Sequence, residues 1–298
     1  MALGYRQQTG CTLPRPCSQG RAKLRSLFLF LVLLLGATLG AGCPLGVAGA
    51  APTPKLPAIH LTYRGGPLIQ QVKVATLFWG ASWQSSSLTS YFNSFFRTLF
   101  TDGRFMANLA QYSAGGYTIG SGSFAATDTD TQNPSSKVTD AQIRSEIRAQ
   151  VAAGHLPKPD ADTVYYVFTP SSVVVYDSQG NNSVTDFVSF HDYDFGSDGF
   201  AYAVVPYDDT LQDPRLMTLY ASHELAEAVT DPEPYDNTVG WYDDYYGEIG
   251  DIPATLYSDN QIGINDLVDE LDAADGTPYL VQKSWSLQDN APVAFAAA

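Results

Sequence analysis

Apolar and β-branched residues fall into short runs with few interrupting polar positions, a pattern typical of buried strands. The runs cover 71–80, 162–169, 185–193 and 200–207. We expect a strand of one sheet from each of them. The tail at 277–289 predicts one last strand.

Other segments place apolar residues at intervals of three and four, the spacing of a single helix face. Residues 85–99 predict a first helix and residues 105–112 a second, short one. Residues 139–154 predict an amphipathic helix with a capping threonine at its start and a glycine at its end. Between these helices, 115–136 is rich in Gly, Ser, Thr and Asp, which favours a loop that can include one strand.

The segment 214–229 is apolar nearly all round, which predicts a buried helix. Asp213 and Pro214 are a typical helix start, and Pro232 stops the helix soon after residue 229. After its first turn, and apart from one tyrosine, its ionisable side chains are His223, Glu224 and Glu227. No Lys or Arg occurs from 221 to 282. Since buried carboxylates are costly without a positive partner, a bound cation is the simplest partner for this helix.

The spacing of these three residues is that of a metal-binding motif. His223 and Glu227 are four residues apart, so both can reach one ion from the same helix face. The pattern H-E-x-x-E is a variant of the zinc motif H-E-x-x-H, with Glu in place of the second His. Glu224 would face a water beside the ion and take its proton as general base. The other interpretation is a hydrogen-bonded core pair of His223 and Glu227, with Glu224 facing solvent.

A catalytic zinc usually has three protein ligands, so the helix needs a further one. The candidates are Glu248 and Asp251, in the segment 247–251, and His191. The two glycines of that segment allow close backbone approach, which favours Glu248 or Asp251. His191 could instead be an oxyanion-stabilising catalytic donor or a satisfied surface histidine.

The carboxylates after the helix also allow a different ion. Ca²⁺ prefers oxygen ligands, and four acidic residues lie close together in the sequence. A solvated acidic loop is the plain alternative, and we favour it for the first two of them. The four residues are Asp243, Asp244, Glu248 and Asp251.

The first fifty residues have the pattern of a secretory signal. The apolar run 27–42 follows three basic residues, and small residues at 48–50 resemble a cleavage site. We expect a secreted or cell-envelope protein without membrane attachment after cleavage; an uncleaved anchor or a lipid on Cys43 is less favoured. All three cysteines lie in this segment. A thiol nucleophile, a thiolate metal site and a disulfide framework are therefore excluded for residues 51–298.

Composition and charge narrow the class further. Of 298 residues, 45% are hydrophobic and only 16% charged, enough apolar content for a sizeable core. Eleven Lys and Arg against 31 Asp and Glu leave residues 51–298 with a formal charge of −20. Such a charge argues against nucleic-acid and anionic-membrane partners.

The sequence resembles the EXORDIUM, or phosphate-induced protein 1, family and its bacterial secreted relatives. The likeness begins at SHELAEAVTDP, residues 222–232, followed by Trp241-Tyr242 and then GEIGD. It extends over about 60–288, and the further matching segments are GGPL, VKVATLFWG, AGHLPKPDADTVYYVFTP, FVSFHDY and YLVQKSWS.

The resemblance implies an extracellular or wall-associated protein, which in plants is linked to growth and cell expansion. It also implies a zincin-like metalloprotein. Plant members have cysteines near the histidine that matches His191 and after the motif that matches 248–251, whereas this chain has none there. We expect an α+β fold, with a zincin-like mixed sheet packed on a buried metal-site helix. The expected single domain spans 71–298, after an extended lead-in at 51–70.

Two functions agree with these observations. The first is a secreted zinc hydrolase, most simply a peptidase, with Glu224 as base. The second is a non-catalytic extracellular protein with a structural metal or hydrogen-bond network. Its aromatic residues would then line a peptide or cell-wall carbohydrate groove. No G-x-S-x-G signature supports a serine hydrolase.

Overall fold

A five-stranded mixed sheet forms the centre of the protein, seen here in a computed structural model that describes residues 56–297. Four neighbouring strands are parallel, and the fifth, at one edge, runs antiparallel to its neighbour. From one edge to the other the strands are β3 (Ser123–Asp130), β2 (Lys73–Trp79), β5 (Thr163–Thr169), β8 (Phe200–Pro206) and β7 (Phe190–Asp194).

Helices cover both faces of this sheet. Alternate side chains of β2 point to opposite faces, so Val74 and Phe78 join one core and Ala75 and Leu77 the other. The first core is closed by α1 (Ser87–Asp102), α2 (Arg104–Leu109) and α4 (Arg215–Thr230), and the second by α3 (Asp140–Ala152). Strands buried on both faces read as nearly continuous apolar runs, which is why their sequence signal is strong.

The remaining elements are small and surround the three layers. Two short helices follow α4, namely α5 (Asp251–Ser258) and α6 (Ile264–Leu267). Four two-stranded ladders complete the fold: β1 (Thr62–Tyr63) with β9 (Trp241–Tyr242), β4 (Lys137–Thr139) with β6 (Val174–Tyr176), β10 (Val268–Asp272) with β11 (Pro278–Gln282), and β12 (Ser284–Ser286) with β13 (Ala291–Val293).

Most predicted elements are confirmed, including the mixed sheet and the buried helix. The strand expected at 185–193 begins only at Phe190, because Asn182 and Asp186 close a turn through side-chain bonds to the backbone. The single tail strand is wrong. Residues 277–289 form two strands, β11 and β12, interrupted at Lys283, whose backbone N–H donates to Leu267 O instead.

The predicted leader at 1–50 lies outside the described residues. The expected lead-in is packed on the domain from residue 56 onward, since Leu61, Leu68 and Ile69 are buried and β1 pairs with β9. Within residues 56–297, no helix has the length and apolar content to cross a membrane.

The site helix α4 is enclosed along its whole length. Every residue from Leu216 to Thr230 is buried. Its polar side chains bind the backbone of β11: Thr218 Oγ1 contacts both backbone groups of Leu280, and Ser222 Oγ accepts from the N–H of Gln282 at 2.9 Å. These bonds fix the position of Gln282 relative to the helix.

We expect Ser222→Ala to destabilise the protein by about 1–3 kcal/mol, because it leaves the buried Gln282 N–H without its acceptor. Urea unfolding followed by circular dichroism measures the loss. The exposed Ser258→Ala is the matched control and should change little. Equal midpoints for the two variants would contradict the role of Ser222.

Candidate metal centre

Six acidic and histidine side chains from three parts of the chain meet at one end of α4. None of them is more than 7% exposed. Helix α4 supplies three, the edge strand β7 supplies one, and the segment 247–251 supplies two. They are His223, Glu224 and Glu227, then His191, then Glu248 and Asp251. All six residues predicted for the zinc site are therefore brought together.

Two glycines allow the segment 247–251 to approach the helix, as the sequence suggested. A Cβ on Gly250 would lie 2.7 Å from His223 Nδ1 and 3.0 Å from Glu227 Oε1. Gly247 has a φ of +95°, and a Cβ there would lie 2.2 Å from Asp251 Oδ2. Any larger residue at these two positions would displace the site residues themselves.

One candidate metal-binding group consists of His223, Glu227 and Asp251. His223 Nε2 lies 3.2 Å from Glu227 Oε2 and 3.9 Å from Asp251 Oδ1. One donor atom from each residue falls within 4.8 Å of the others. The predicted pairing of His223 and Glu227 across one helical turn thus has a third ligand available in Asp251.

A second group consists of His191, Glu227 and Glu248. His191 Nδ1 lies 3.6 Å from Glu227 Oε2, and His191 Nε2 lies 3.8 Å from Glu248 Oε2. Glu227 belongs to both groups. The candidates for a third ligand are therefore divided between two groups that share Glu227.

Glu224 lies beside these groups and is held from two sides. Ser189 Oγ donates to its Oε1 at 2.5 Å, and His191 Nδ1 lies 3.2 Å from its Oε2. Burial opposes its ionisation, but the hydrogen bond from His191 and the nearby His223 lower the pKa of Glu224 below its ordinary value. The interpretation with Glu224 facing solvent is wrong, since only 1% of the residue is exposed.

The other two carboxylates are in a different electrostatic state. Burial, and then the charge of Glu227, raise the pKa of Glu248 well above its ordinary value. Burial likewise raises the pKa of Asp251. No Lys or Arg is among the described residues that line the cleft. A divalent cation would supply the positive charge that these carboxylates need in order to ionise.

Two residues that were not predicted from the sequence, Gln282 and Ser189, hold His223 and Glu224 in place. Gln282 Nε2 lies 2.8 Å from His223 Nδ1 and also donates to Gly250 O at 2.8 Å. Ser189 holds Glu224, and it precedes His191 by two residues on the same side of the strand. Two sequence signals could have identified them. Gln282 is a polar residue at the end of an apolar strand, and Ser189 alternates with His191 along the chain.

The other predicted metal ligands, Asp243 and Asp244, lie outside the centre. Asp243 is buried rather than solvated, because its carboxylate accepts from the backbone N–H groups of Tyr245 and Tyr246. Asp244 is exposed as expected and pairs with Arg64. Neither belongs to a metal-binding group of the described chain, so a calcium site over all four acidic residues is not assembled. The surface interpretation of His191 is also wrong, since the residue is buried.

The six side chains line a narrow cleft of about 40 Å³. A single water needs about 10–15 Å³ measured in this way, so the cleft accommodates ions and a few waters rather than a peptide. The segment that leads into β7 completes its lining with Asp177, Asp186 and Phe187.

Comparisons with known proteins add no assignment to this geometry. No family model matches the chain, and no curated protein or solved structure matches it at the significance required. Any function must therefore be argued from the residues and distances above.

We expect Gly250→Ala to weaken metal binding about 10–100-fold, because the added methyl group displaces His223 and Glu227. Competition between the protein and a chelating dye for Zn²⁺ measures the affinity. Gly263→Ala is the matched control, since a Cβ there comes no closer than 3.7 Å to any neighbour. An unchanged affinity for Gly250→Ala would show that this contact does not set ligand positions.

Glu248→Gln should raise the melting temperature of the metal-free protein, and increasingly so as the pH rises. The raised pKa of Glu248 means that the folded state binds more protons than the unfolded state. The stability that Glu248 contributes is thus present below its ordinary pKa of about 4.3 and is lost as the pH rises through the raised value. Gln does not titrate. Thermal melts from pH 4 to pH 8 in chelator measure the difference, and a gap that stays constant with pH would contradict this cause.

Proposed function

We propose that this chain is a secreted, zincin-like metalloprotein related to the EXORDIUM family, and that it hydrolyses peptide-type bonds. In this proposal His223, Glu227 and Asp251 hold a divalent ion, and Glu224 is the general base. The observation that carries it is the meeting of these four side chains in one buried cleft without a basic residue.

The donor set favours zinc over calcium. Each group offers an imidazole nitrogen together with two carboxylates. Imidazole and carboxylate ligands suit Zn²⁺, whereas Ca²⁺ takes six to eight oxygen ligands and does not favour nitrogen. Three protein ligands with space for water is the arrangement of a catalytic zinc.

The protein residues then have distinct tasks. When bound, zinc acts as a Lewis acid and makes a neighbouring water more acidic. Glu224 is ionised at neutral pH because His191 and His223 lower its pKa, so it can accept a proton. Ser189 and His191 fix its two oxygens, which limits the carboxylate to one orientation.

The small volume of the cleft limits which substrates can reach the ligand cluster. A cleft of about 40 Å³ excludes a peptide chain from the ligand cluster itself. A scissile bond could reach the cluster only with displacement of lining residues. Peptides and cell-wall polymers are the substrate classes that we propose.

The same narrowness supports a second candidate function. In a non-catalytic extracellular protein the ion would be structural and would join α4, β7 and the segment 247–251. In a structural metal site the protein supplies all the ligands of the ion, and no position is left open for water. The close contacts of Glu224 with Ser189 and His191 agree with this alternative.

Glu224→Gln distinguishes the two. If the protein is a hydrolase, the variant retains its zinc, but its rate of hydrolysis falls at least about 10²-fold, because the amide cannot accept the proton. Zinc is measured by mass spectrometry of the purified protein, and activity with a fluorescent casein digest. The exposed Glu270→Gln is the control. Activity that survives Glu224→Gln would exclude the proposed base.

A further inference from the structure

We infer that the centre takes two divalent ions and that Glu227 is the ligand they share. The inference rests on the metal binding proposed above and not on the hydrolytic step. One ion would lie among His223, Glu227 and Asp251, and the other among His191, Glu227 and Glu248. Nothing in the sequence motif alone indicates the second ion.

The two halves of the centre have matching composition. Each consists of one histidine, one carboxylate of the segment 247–251, and a share of Glu227. Ligand atoms that surround one tetrahedral zinc at about 2.0–2.2 Å lie about 3.3–3.6 Å from one another. In one half His223 Nε2 lies 3.2 Å from Glu227 and 3.9 Å from Asp251, and in the other half His191 Nδ1 lies 3.6 Å from Glu227, all close to that spacing. Glu248 lies 3.8 Å from the other nitrogen of His191, and one donor atom of each residue in this half falls within 4.8 Å of the others.

A single ion does not account for all five ligands. Across the described chain, the donor atoms form two groups of three that meet only at Glu227, and not one group of five within 4.8 Å. If a single ion occupied one half, the histidine and the buried carboxylate of the other half would bind no metal, although they have the same arrangement. Glu227 Oε2 lies 3.2 Å from His223 Nε2 and 3.6 Å from His191 Nδ1, so this carboxylate is within reach of an ion in either half.

The charges agree with two ions. Six carboxylates line the cleft, and the lining includes no Lys or Arg. Asp177 and Asp186 accept hydrogen bonds from the backbone of residues 179–182, whereas Glu224, Glu227, Glu248 and Asp251 form the ligand cluster. Two divalent cations carry four positive charges, which equals the formal charge of the four cluster carboxylates when they are ionised. One divalent cation neutralises half of it. Since buried charge without compensation is strongly unfavourable, the doubly loaded centre is the balanced one.

The outer contacts present one nitrogen of each histidine to its own half. His191 Nε2 lies 3.0 Å from Asp231 O, and its Nδ1 is directed towards Glu227. His223 has the opposite orientation, with Nδ1 beside Gln282 and Nε2 towards Glu227. Metal-binding histidines usually donate the N–H of the nitrogen that does not bind the metal, as His191 Nε2 can to Asp231 O. A cleft of about 40 Å³ has room for both ions.

Zinc alone tests the inference on the purified full chain. The protein is stripped with chelator, loaded with excess Zn²⁺, desalted, and measured for zinc per chain by mass spectrometry. We expect two zinc ions in the wild type and in Glu270→Gln, and one in both Glu248→Gln and Asp251→Asn, since each change removes a ligand from one half only. X-ray absorption of the wild type should show a zinc neighbour at about 3.5–4 Å, and the two single-half variants should lack it.

The outcomes separate this inference from the proposed reaction. One zinc per chain in the folded wild type, or two without a zinc neighbour, overturns the shared ligand, whether or not casein is hydrolysed. Two zinc ions with that neighbour but no hydrolysis support the shared ligand and count against the hydrolase. No zinc overturns both. Wild-type stoichiometry and absorption decide the matter even where a variant fails to fold, which thermal melting reveals.

Discussion

The main physical constraint on this structure is the burial of four carboxylates on and beside α4, in a cleft whose lining includes no Lys or Arg. Glu224 and Glu227 lie on a helix that is enclosed from Leu216 to Thr230. Glu248 and Asp251 are added to them by a separate segment, although repulsion between like charges should keep that segment away. Sequences seldom maintain such an arrangement for stability alone, because apolar residues of similar volume would pack there at less cost. The arrangement is understandable if cation binding is what the fold provides.

Enclosing α4 requires surfaces on every side, and these surfaces explain much of the architecture. The parallel strands cover one side, and β11 covers another through backbone bonds to Thr218 and Ser222. The antiparallel edge strand β7 brings His191 to the end of the helix, and the glycines at 247 and 250 allow the last side to close. Each covering element thus also contributes or orients a side chain of the centre. Stability and site geometry are for this reason difficult to change separately.

Much of this could be predicted from the sequence, for definite physical reasons. Strands buried on both faces and a helix apolar all round leave strong local signals, so β2, β5, β8 and α4 were found within a few residues. The candidate site also leaves local signals in the sequence. These are the spacing of His223 and Glu227 and the glycines near Glu248 and Asp251. The resemblance to a known family and the expected leader at 1–50 remain predictions.

Contacts between distant segments could not be predicted in the same way. Ser189 and Gln282 act through partners 35 and 59 residues away, and no periodicity connects them. The turn at 182–186 shortened a strand because side-chain bonds replaced ladder bonds. Asp243 looked solvated by composition, yet its carboxylate binds backbone groups inside a turn. The division of the ligands into two groups likewise depends on tertiary geometry alone.

The position of β11 in the chain has a consequence for the order of assembly. Synthesis proceeds from the amino terminus, so α4 is complete about fifty residues before Pro278–Gln282 is available to cover it. During that interval the helix lacks the strand that covers it, and until Glu248 and Asp251 are made it also lacks those two ligands. The complete centre can therefore form only late in synthesis, and the nascent chain passes through a stage in which a helix that is buried in the folded protein is still uncovered.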